Sequence, residues 1–188
     1  MTTAATIVLI LAVALWMAEF ILFPSRRNGK VKNDDKSFLL FTVAIIFSIS
    51  LAIVLNRLNL GKVRGPERNL MFMAGAVMAL AGIGLRYFSI LKMGKNFSRR
   101  IQAFPDQELV ENGPFRRLRH PAYSGLWLLT AGVVLFTTNL ATFVFTLPLL
   151  LTVILMRVKR EEEFMEEVIG ERYRRWKKSR RRLFPFIY

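Results

Sequence analysis

The chain contains no cysteine, a single histidine, and only 13 acidic residues against 28 lysines and arginines. The absence of cysteine excludes disulfides and thiolate metal sites, and one histidine argues against a histidine-rich metal centre. The 188 residues carry a formal net charge of +15, although 53% of them are hydrophobic. This combination is typical of a membrane protein in which charge and hydrophobicity are segregated along the chain.

Charge is nearly absent from four long runs, which cover residues 2–18, 38–56, 69–85 and 121–156. A bilayer core about 30 Å thick needs roughly 20 helical residues, so each of the first three runs fits one span, the third if Arg86 lies near the interface. The fourth run is too long for one span and has Thr137, Thr138 and Asn139 at its middle, which predicts a hairpin of two short helices. We therefore predict an all-α, polytopic integral membrane protein with about five transmembrane helices, the last two a hairpin, plus a cytoplasmic C-terminal helical segment.

Basic residues set the predicted orientation. The first run has no basic n-region and no clear cleavage site, so we expect it to remain as a span. The tail from Arg157 is rich in lysine and arginine, and the positive-inside rule places the C-terminus in the cytoplasm. The basic connections 24–37 and 92–120 then face inward, whereas the basic connection 57–68 falls outside, against the rule. We interpret the basic residues as contacts to anionic lipid headgroups and predict no nucleic-acid partner.

Three polar features meet on the predicted cytoplasmic side. The segment "RHPAYSG", residues 119–125, opens the hairpin with a proline at a helix start, where unpaired backbone N–H groups favour an anion. A run of three glutamates, residues 161–163, follows the last predicted span, and Arg86 ends the third predicted helix. Each feature also has a simpler interpretation, respectively a membrane-interface anchor, a solvated acidic face and a snorkelling arginine. Composition does not choose between these interpretations.

Three segments together resemble the isoprenylcysteine carboxyl methyltransferase family, which belongs to a wider group that includes phospholipid methyltransferases. They are "GLRYFSILKMGKNF", "LVENGPFRRLRHPAYSGLW" and "REEEFMEEVIGERYRRWKKSRRRLFPF". The elements G-x-N-F, L-V-x-x-G, R-H-P-x-Y-x-G, E-E and G-x-x-Y occur in the family's order over about residues 80–186, and the ordered set is more specific than any one of them. We therefore predict a single membrane methyltransferase domain over residues 1–188, with its motifs at about residues 80–186. Residues 1–60, which carry no family motif, supply two N-terminal transmembrane helices.

The resemblance implies S-adenosyl-L-methionine as the methyl donor, held at the cytoplasmic end of the last helices. The residues it implies for the donor site are Arg119, His120, Pro121, Tyr123, Glu161, Glu162 and Tyr173, with Glu162 preferred because the run of three glutamates blurs the register. It implies Arg86 as the catalytic residue beside the acceptor carboxylate, with Asn96 and Trp127 as further acceptor contacts. Trp176 accompanies Tyr173 as a packing aromatic, and no metal site is predicted.

Methyl transfer from a sulfonium is an in-line displacement, so the protein has mainly to align the nucleophile with the methyl carbon. A carboxylate acceptor is ionised at neutral pH, whereas an amine needs a base and only His120 is at hand. We therefore favour carboxylate O-methylation of a lipophilic, prenylcysteine-like acceptor over phospholipid amine N-methylation. Two other interpretations stay open, an NAD(P)H-dependent membrane reductase of sterol or polyprenyl type and a non-catalytic membrane scaffold. The sequence specifies neither the acceptor nor the oligomeric state.

Overall fold

The computed structural model describes residues 3–23, 30–31 and 35–184. An all-α chain was predicted, and the described residues are mostly helical, with one pair of two-residue strands. The α-helices are α1 (Thr3–Leu22), α2 (Asp35–Arg57), α3 (Glu67–Met93), α4 (Pro121–Phe136), α5 (Leu140–Ile169) and α6 (Glu171–Lys178). Short 3₁₀ turns occupy Gly94–Asn96 and Gly113–Arg116. Two-residue strands, β1 (Lys30–Val31) and β2 (Gln102–Ala103), pair antiparallel.

Three segments of the described chain are long and apolar enough to cross a membrane, namely Leu39–Arg57, Glu67–Asn96 and Leu140–Ile169. Large apolar side chains on these helices point outward, and Leu70, Val77 and Phe145 are all more than 60% exposed. An exposed apolar surface of this extent suits lipid rather than water. The helix α4 is also apolar but has only 16 residues.

The expected break in the fourth uncharged run is confirmed at residues 137–139, but the helix after it is not short. α5 continues for 30 residues and includes the charged stretch that we expected to begin a separate segment. Residues 157–169 contain no glycine or proline and many arginine, lysine and glutamate residues, which favour a helix. The helix ends only at Gly170, whose φ of 69° is easily reached without a side chain. Arg86 likewise does not end its helix, because α3 runs two turns further to Met93.

Helices α3 and α4 pack backbone against backbone through two pairs of glycines. A Cβ atom placed on Gly82 would lie 2.7 Å from the carbonyl oxygen of Gly125, and one on Gly75 would lie 2.7 Å from that of Gly132. Only glycine permits such an approach, which is the usual device of helix pairs that associate in lipid. Because the two helices run antiparallel, the contact brings Arg86 of α3 beside the first turn of α4.

The opposite end of this helix pair is held by polar contacts to the break between α4 and α5. Asn139 caps α5 by accepting a hydrogen bond from the Thr142 N–H (2.9 Å), and its amide donates to the carbonyl of Leu60 (2.9 Å). The Val63 N–H donates to the carbonyl of Thr138 (2.9 Å). Buried polar groups in this turn are thus satisfied by the α2–α3 connection.

Candidate active site

A cavity of about 200 Å³ lies where the helices α1 to α6 meet the 94–120 connection. Eight of the ten residues predicted for the site line this cavity, and they are Arg86, Asn96, Arg119, His120, Pro121, Tyr123, Glu161 and Tyr173. The other two, Glu162 and Trp127, do not. Trp127 instead packs edge-on against Phe184, with 5.3 Å between the ring centroids.

Glu162 is the centre of a buried ionic cluster behind the cavity wall. Its side chain is 3% exposed and accepts hydrogen bonds from Arg119 (2.8 Å) and Arg182 (3.1 Å). The His120 Nε2 lies 3.2 Å from the same carboxylate. Both carboxylate oxygens are therefore engaged by the protein. In this geometry Glu161 lines the cavity, whereas Glu162, which was preferred from the sequence for ligand contact, lies behind the wall and contacts Arg119 and His120.

Residues 181–183 run beside the R-H-P segment and bond to it. The N–H of Arg119 donates to the carbonyl of Arg181 (2.7 Å), and the N–H of His120 donates to that of Arg182 (3.1 Å). The expectation that backbone N–H groups next to the proline remain unpaired for an anion is therefore wrong for these two groups. Carbonyl groups of the C-terminal segment already occupy them.

Tyr123, in the first turn of α4, links two charged residues of α5. Its hydroxyl donates to Glu161 Oε2 (2.9 Å) and accepts from Arg157 Nε (2.8 Å). Arg157 is 8% exposed and also donates to the carbonyl of Arg99. This chain of contacts fixes the side chains of one helix face at the floor of the cavity.

Arg86 reaches from α3 to two other helices. Its Nη1 donates to the carbonyl of Ala122 (3.0 Å), and its Nη2 donates to Glu19 Oε1 (2.7 Å) while its Nε donates to Oε2 of the same carboxylate. Glu19 is completely buried. The guanidinium predicted to meet a substrate carboxylate thus already holds a carboxylate of its own chain.

Unused polar groups face the cavity from the 94–120 connection. The Asn96 amide donates to the carbonyl of Glu108 (3.0 Å), but its oxygen has no partner among the described residues. Neither the amide oxygen nor the amide nitrogen of Gln102, a buried side chain, has a partner there. Buried amides without partners are rare in folded proteins, and a ligand that bonds to them is one explanation.

The cavity is electropositive and partly aromatic. Its charged lining residues, other than His120, are Arg86, Arg99, Arg100, Arg119, Arg157, Glu108 and Glu161. Tyr173 and Trp176 stack with 5.6 Å between ring centroids. Burial raises the pKa of the Tyr173 hydroxyl, so this group stays protonated and neutral. The excess of arginine suits an anionic ligand group.

Sequence reasoning missed four residues that bear on this site. The sequence does single out two of them. Glu19 is the only charged residue in α1, and Arg157 is the first charged residue after 36 uncharged positions. Arg99 and Gln102 had none, because they lie in an irregular connection whose path depends on the helices around it.

The family model for isoprenylcysteine carboxyl methyltransferase (ICMT) matches residues 75–167. Probable protein-S-isoprenylcysteine O-methyltransferases of Oryza sativa subspecies indica and japonica are each 31% identical over 116 residues, which is 60% of this chain and 60% of theirs. Protein-S-isoprenylcysteine O-methyltransferase A of Arabidopsis thaliana is 25% identical over 115 residues, covering 60% of this chain and 58% of the relative.

The fold is similar to a solved structure of a eukaryotic intramembrane Ras methyltransferase, ICMT. The TM-score is 0.67 at 19% identity, and the match covers 95% of this chain but 63% of that one. The chain therefore spans about three fifths of the length of the relatives that it matches. The matched residues 75–167 contain Arg86, the R-H-P segment and Glu161, which are the residues that the cavity brings together. Residues 75–167 thus match the isoprenylcysteine carboxyl methyltransferase family in sequence, and the fold of the chain is similar to that of a solved ICMT.

Proposed function

We propose that the protein transfers a methyl group from S-adenosyl-L-methionine to the carboxylate of a lipophilic acceptor, with a prenylated cysteine as the preferred class. The observation that carries the proposal is the lining of one cavity. Polar residues of the R-H-P segment and Arg86 line one part of it, and the apolar side chains of Trp16, Phe20 and Phe41 line another. The names of the plant relatives, which are protein-S-isoprenylcysteine O-methyltransferases, support the choice of reaction.

The polar half of the cavity fits the methyl donor. A donor of this type carries a nucleoside, an amino-acid end and a positively charged sulfur, and when bound it supplies an electrophilic methyl group. The unpartnered amide of Gln102 offers a donor and an acceptor to such a molecule, and Glu161 offers a carboxylate to its positive charge. We assign donor contact to Arg119, His120, Pro121, Tyr123, Glu161 and Tyr173, and we assign to Glu162 the placing of Arg119 and His120.

The apolar half of the cavity fits the acceptor. Trp16, Phe20 and Phe41 come from α1 and α2, whose outer surfaces are apolar, so a prenyl chain held there stays in contact with lipid. We assign contact with the acceptor carboxylate to Arg86 and Asn96, in each case through side-chain N–H groups. Trp127 is not assigned acceptor contact, because it lies against Phe184 outside the cavity.

The side chains have to orient rather than activate the nucleophile. An acceptor oxygen forms the new C–O bond as the C–S bond breaks, the bonding pair leaves with sulfur, and no proton moves, so no general base is required. Arg86 holds the carboxylate through N–H groups, and the Tyr123 hydroxyl fixes Arg157 and Glu161 beside it.

We further propose five membrane spans, with α4 and α5 as a hairpin and the cavity and C-terminus on the cytoplasmic side. Support comes from the break at residues 137–139 and from the arginines that surround the cavity. The whole chain then forms one methyltransferase domain, with anionic lipid headgroups against its basic connections.

Calorimetry with S-adenosylhomocysteine, the product left by any transfer from this donor, tests the reaction class. We expect micromolar binding of this product by the protein in mild detergent and no binding of NADPH, and the reverse result would assign the protein to the reductases. Incubation with a radiolabelled donor and N-acetyl-S-farnesylcysteine then tests the acceptor. Carboxyl methyl esters are released as methanol in mild base whereas N-methyl groups are not, so base-stable label on membrane lipid would refute carboxylate methylation.

A further inference from the structure

Glu19 is an ionisable residue inside an apolar helix. It is the only charged residue in α1, and its side chain is 0% exposed. Such a group is costly in a membrane helix and normally has both a partner and a function. Its partner is Arg86, which contacts both of its carboxylate oxygens.

The contact leaves Arg86 able to bind a second group. A guanidinium has five N–H groups, of which two donate to Glu19 and one to the Ala122 carbonyl. The remaining two have no partner among the described residues, and the side chain lines the cavity. Glu19 therefore holds the guanidinium plane without filling the place of a ligand.

A second arginine shares the same carboxylate. Arg99 Nη2 lies 2.8 Å from the backbone carbonyl of Glu19 and 3.8 Å from its Oε1, and its guanidinium lies 4.5 Å from the ring centroid of Phe20. The side chains of Arg86, Arg99 and Glu19 together carry one net positive charge. Without the carboxylate, two positive charges would face the acceptor.

We infer that Glu19 is a positioning residue that orients Arg86 and moderates the positive charge that Arg86 presents to the acceptor, an inference that rests on the function proposed above. The acceptor carboxylate loses its negative charge as the ester forms. An unmoderated cation stabilises the ionised acceptor more than the transition state, so it tightens binding and slows transfer. Glu19 reduces this ground-state stabilisation while it keeps the geometry.

The test measures kcat and KM for N-acetyl-S-farnesylcysteine with the full-length protein in detergent, for wild type and Glu19→Gln. We expect KM and kcat of Glu19→Gln both to fall, each by about tenfold, the size of one charge-assisted hydrogen bond. The calorimetric Kd of S-adenosylhomocysteine stays at the wild-type value. Glu67→Gln is the matched control, because Glu67 is an exposed carboxylate at the far end of α3, and its KM and kcat stay at wild-type values.

A folded Glu19→Gln variant with an unchanged or raised KM overturns the inference, since a role in folding alone does not tighten acceptor binding. If this variant does not fold, Glu19→Asp replaces it, because aspartate keeps the charge and withdraws it by one methylene. A smaller fall of both constants in Glu19→Asp then supports the inference, and wild-type constants or a raised KM overturn it. An inactive wild type refutes the proposed function and this inference with it, whereas an active wild type with wild-type constants in Glu19→Gln refutes the inference alone.

Discussion

Replacing Gly82 by alanine should force α3 and α4 apart. The added Cβ atom would lie 2.3 Å from the backbone nitrogen of Leu129 and 2.7 Å from the carbonyl oxygen of Gly125, and neither backbone atom can rotate away. Ordinary contact begins at 3.4 Å, so relief of the clash requires the helices to separate by about 1 Å. Arg86 lies one turn further along α3 and donates to the Ala122 carbonyl, so the same movement displaces its guanidinium.

Two measurements should report this displacement. Overpacking of this kind typically costs about 1–3 kcal/mol in the free energy of unfolding, which lowers the Tm of a chain of this size by roughly 5 °C. A misplacement of about 1 Å in a catalytic group costs on the order of 100-fold in rate. We therefore expect Gly82→Ala to unfold earlier in a tryptophan-fluorescence melt and to lose most of its methyl ester formation.

Gly84→Ala is the matched control on the same helix. A Cβ atom at Gly84 meets nothing within 4 Å, and alanine favours a helix over glycine by up to about 1 kcal/mol. Its Tm should equal or exceed that of the wild type, with full activity. A Gly82→Ala variant that melts and turns over like Gly84→Ala would show that the two helices are not in backbone contact at this point.

Three further substitutions separate the roles assigned in the cavity. Arg86→Ala should abolish ester formation and leave the Kd of S-adenosylhomocysteine within about twofold of wild type, because we assign Arg86 to the acceptor and not to the donor; loss of that binding would place Arg86 in the donor site instead. Glu162→Gln should lower the free energy of unfolding by about 3–5 kcal/mol in a chemical melt, because it breaks a buried ionic cluster, and should weaken S-adenosylhomocysteine binding. The exposed Glu163→Gln should do neither, and equal behaviour of the two variants would contradict the assignment. Tyr123→Phe removes the hydroxyl between Arg157 and Glu161 and should raise KM for the methyl donor about tenfold, and a wild-type KM would disprove this link.

Local sequence signals predicted the helical elements and much of the cavity. The polar triplet at 137–139 was enough to locate the break between α4 and α5, because a short polar turn within an apolar run has one favourable place. The R-H-P-x-Y motif and Arg86 were found through their family order, and the structure brings them to one cavity.

Contacts between residues far apart in the sequence could not be predicted from local patterns. The contact between Glu19 and Arg86 joins residues 67 positions apart, so it depends on how α1 lies against α3, and no local pattern encodes that. The sequence also could not show which of Glu161 and Glu162 faces the cavity. Neighbouring residues on a helix differ by about 100° in direction, and a run of three glutamates leaves that direction undetermined. The contact of the C-terminal segment with Arg119 and His120 could not be predicted either, because it is made by backbone carbonyl groups, which carry no sequence signal.

α5 is longer than the hydrocarbon core of a bilayer is thick. Its 30 residues span about 45 Å, roughly 15 Å more than the hydrocarbon core of a bilayer. Glu161 lies on the same helix as the apolar turns that we place in the membrane, and this helix continues through Pro148 to Gly170. The height of Glu161 relative to the lipid therefore depends on how deeply α5 sits. Membranes of different organelles differ in thickness by a few Å, and we expect turnover in vesicles to have an optimum in acyl-chain length that detergent micelles do not reveal.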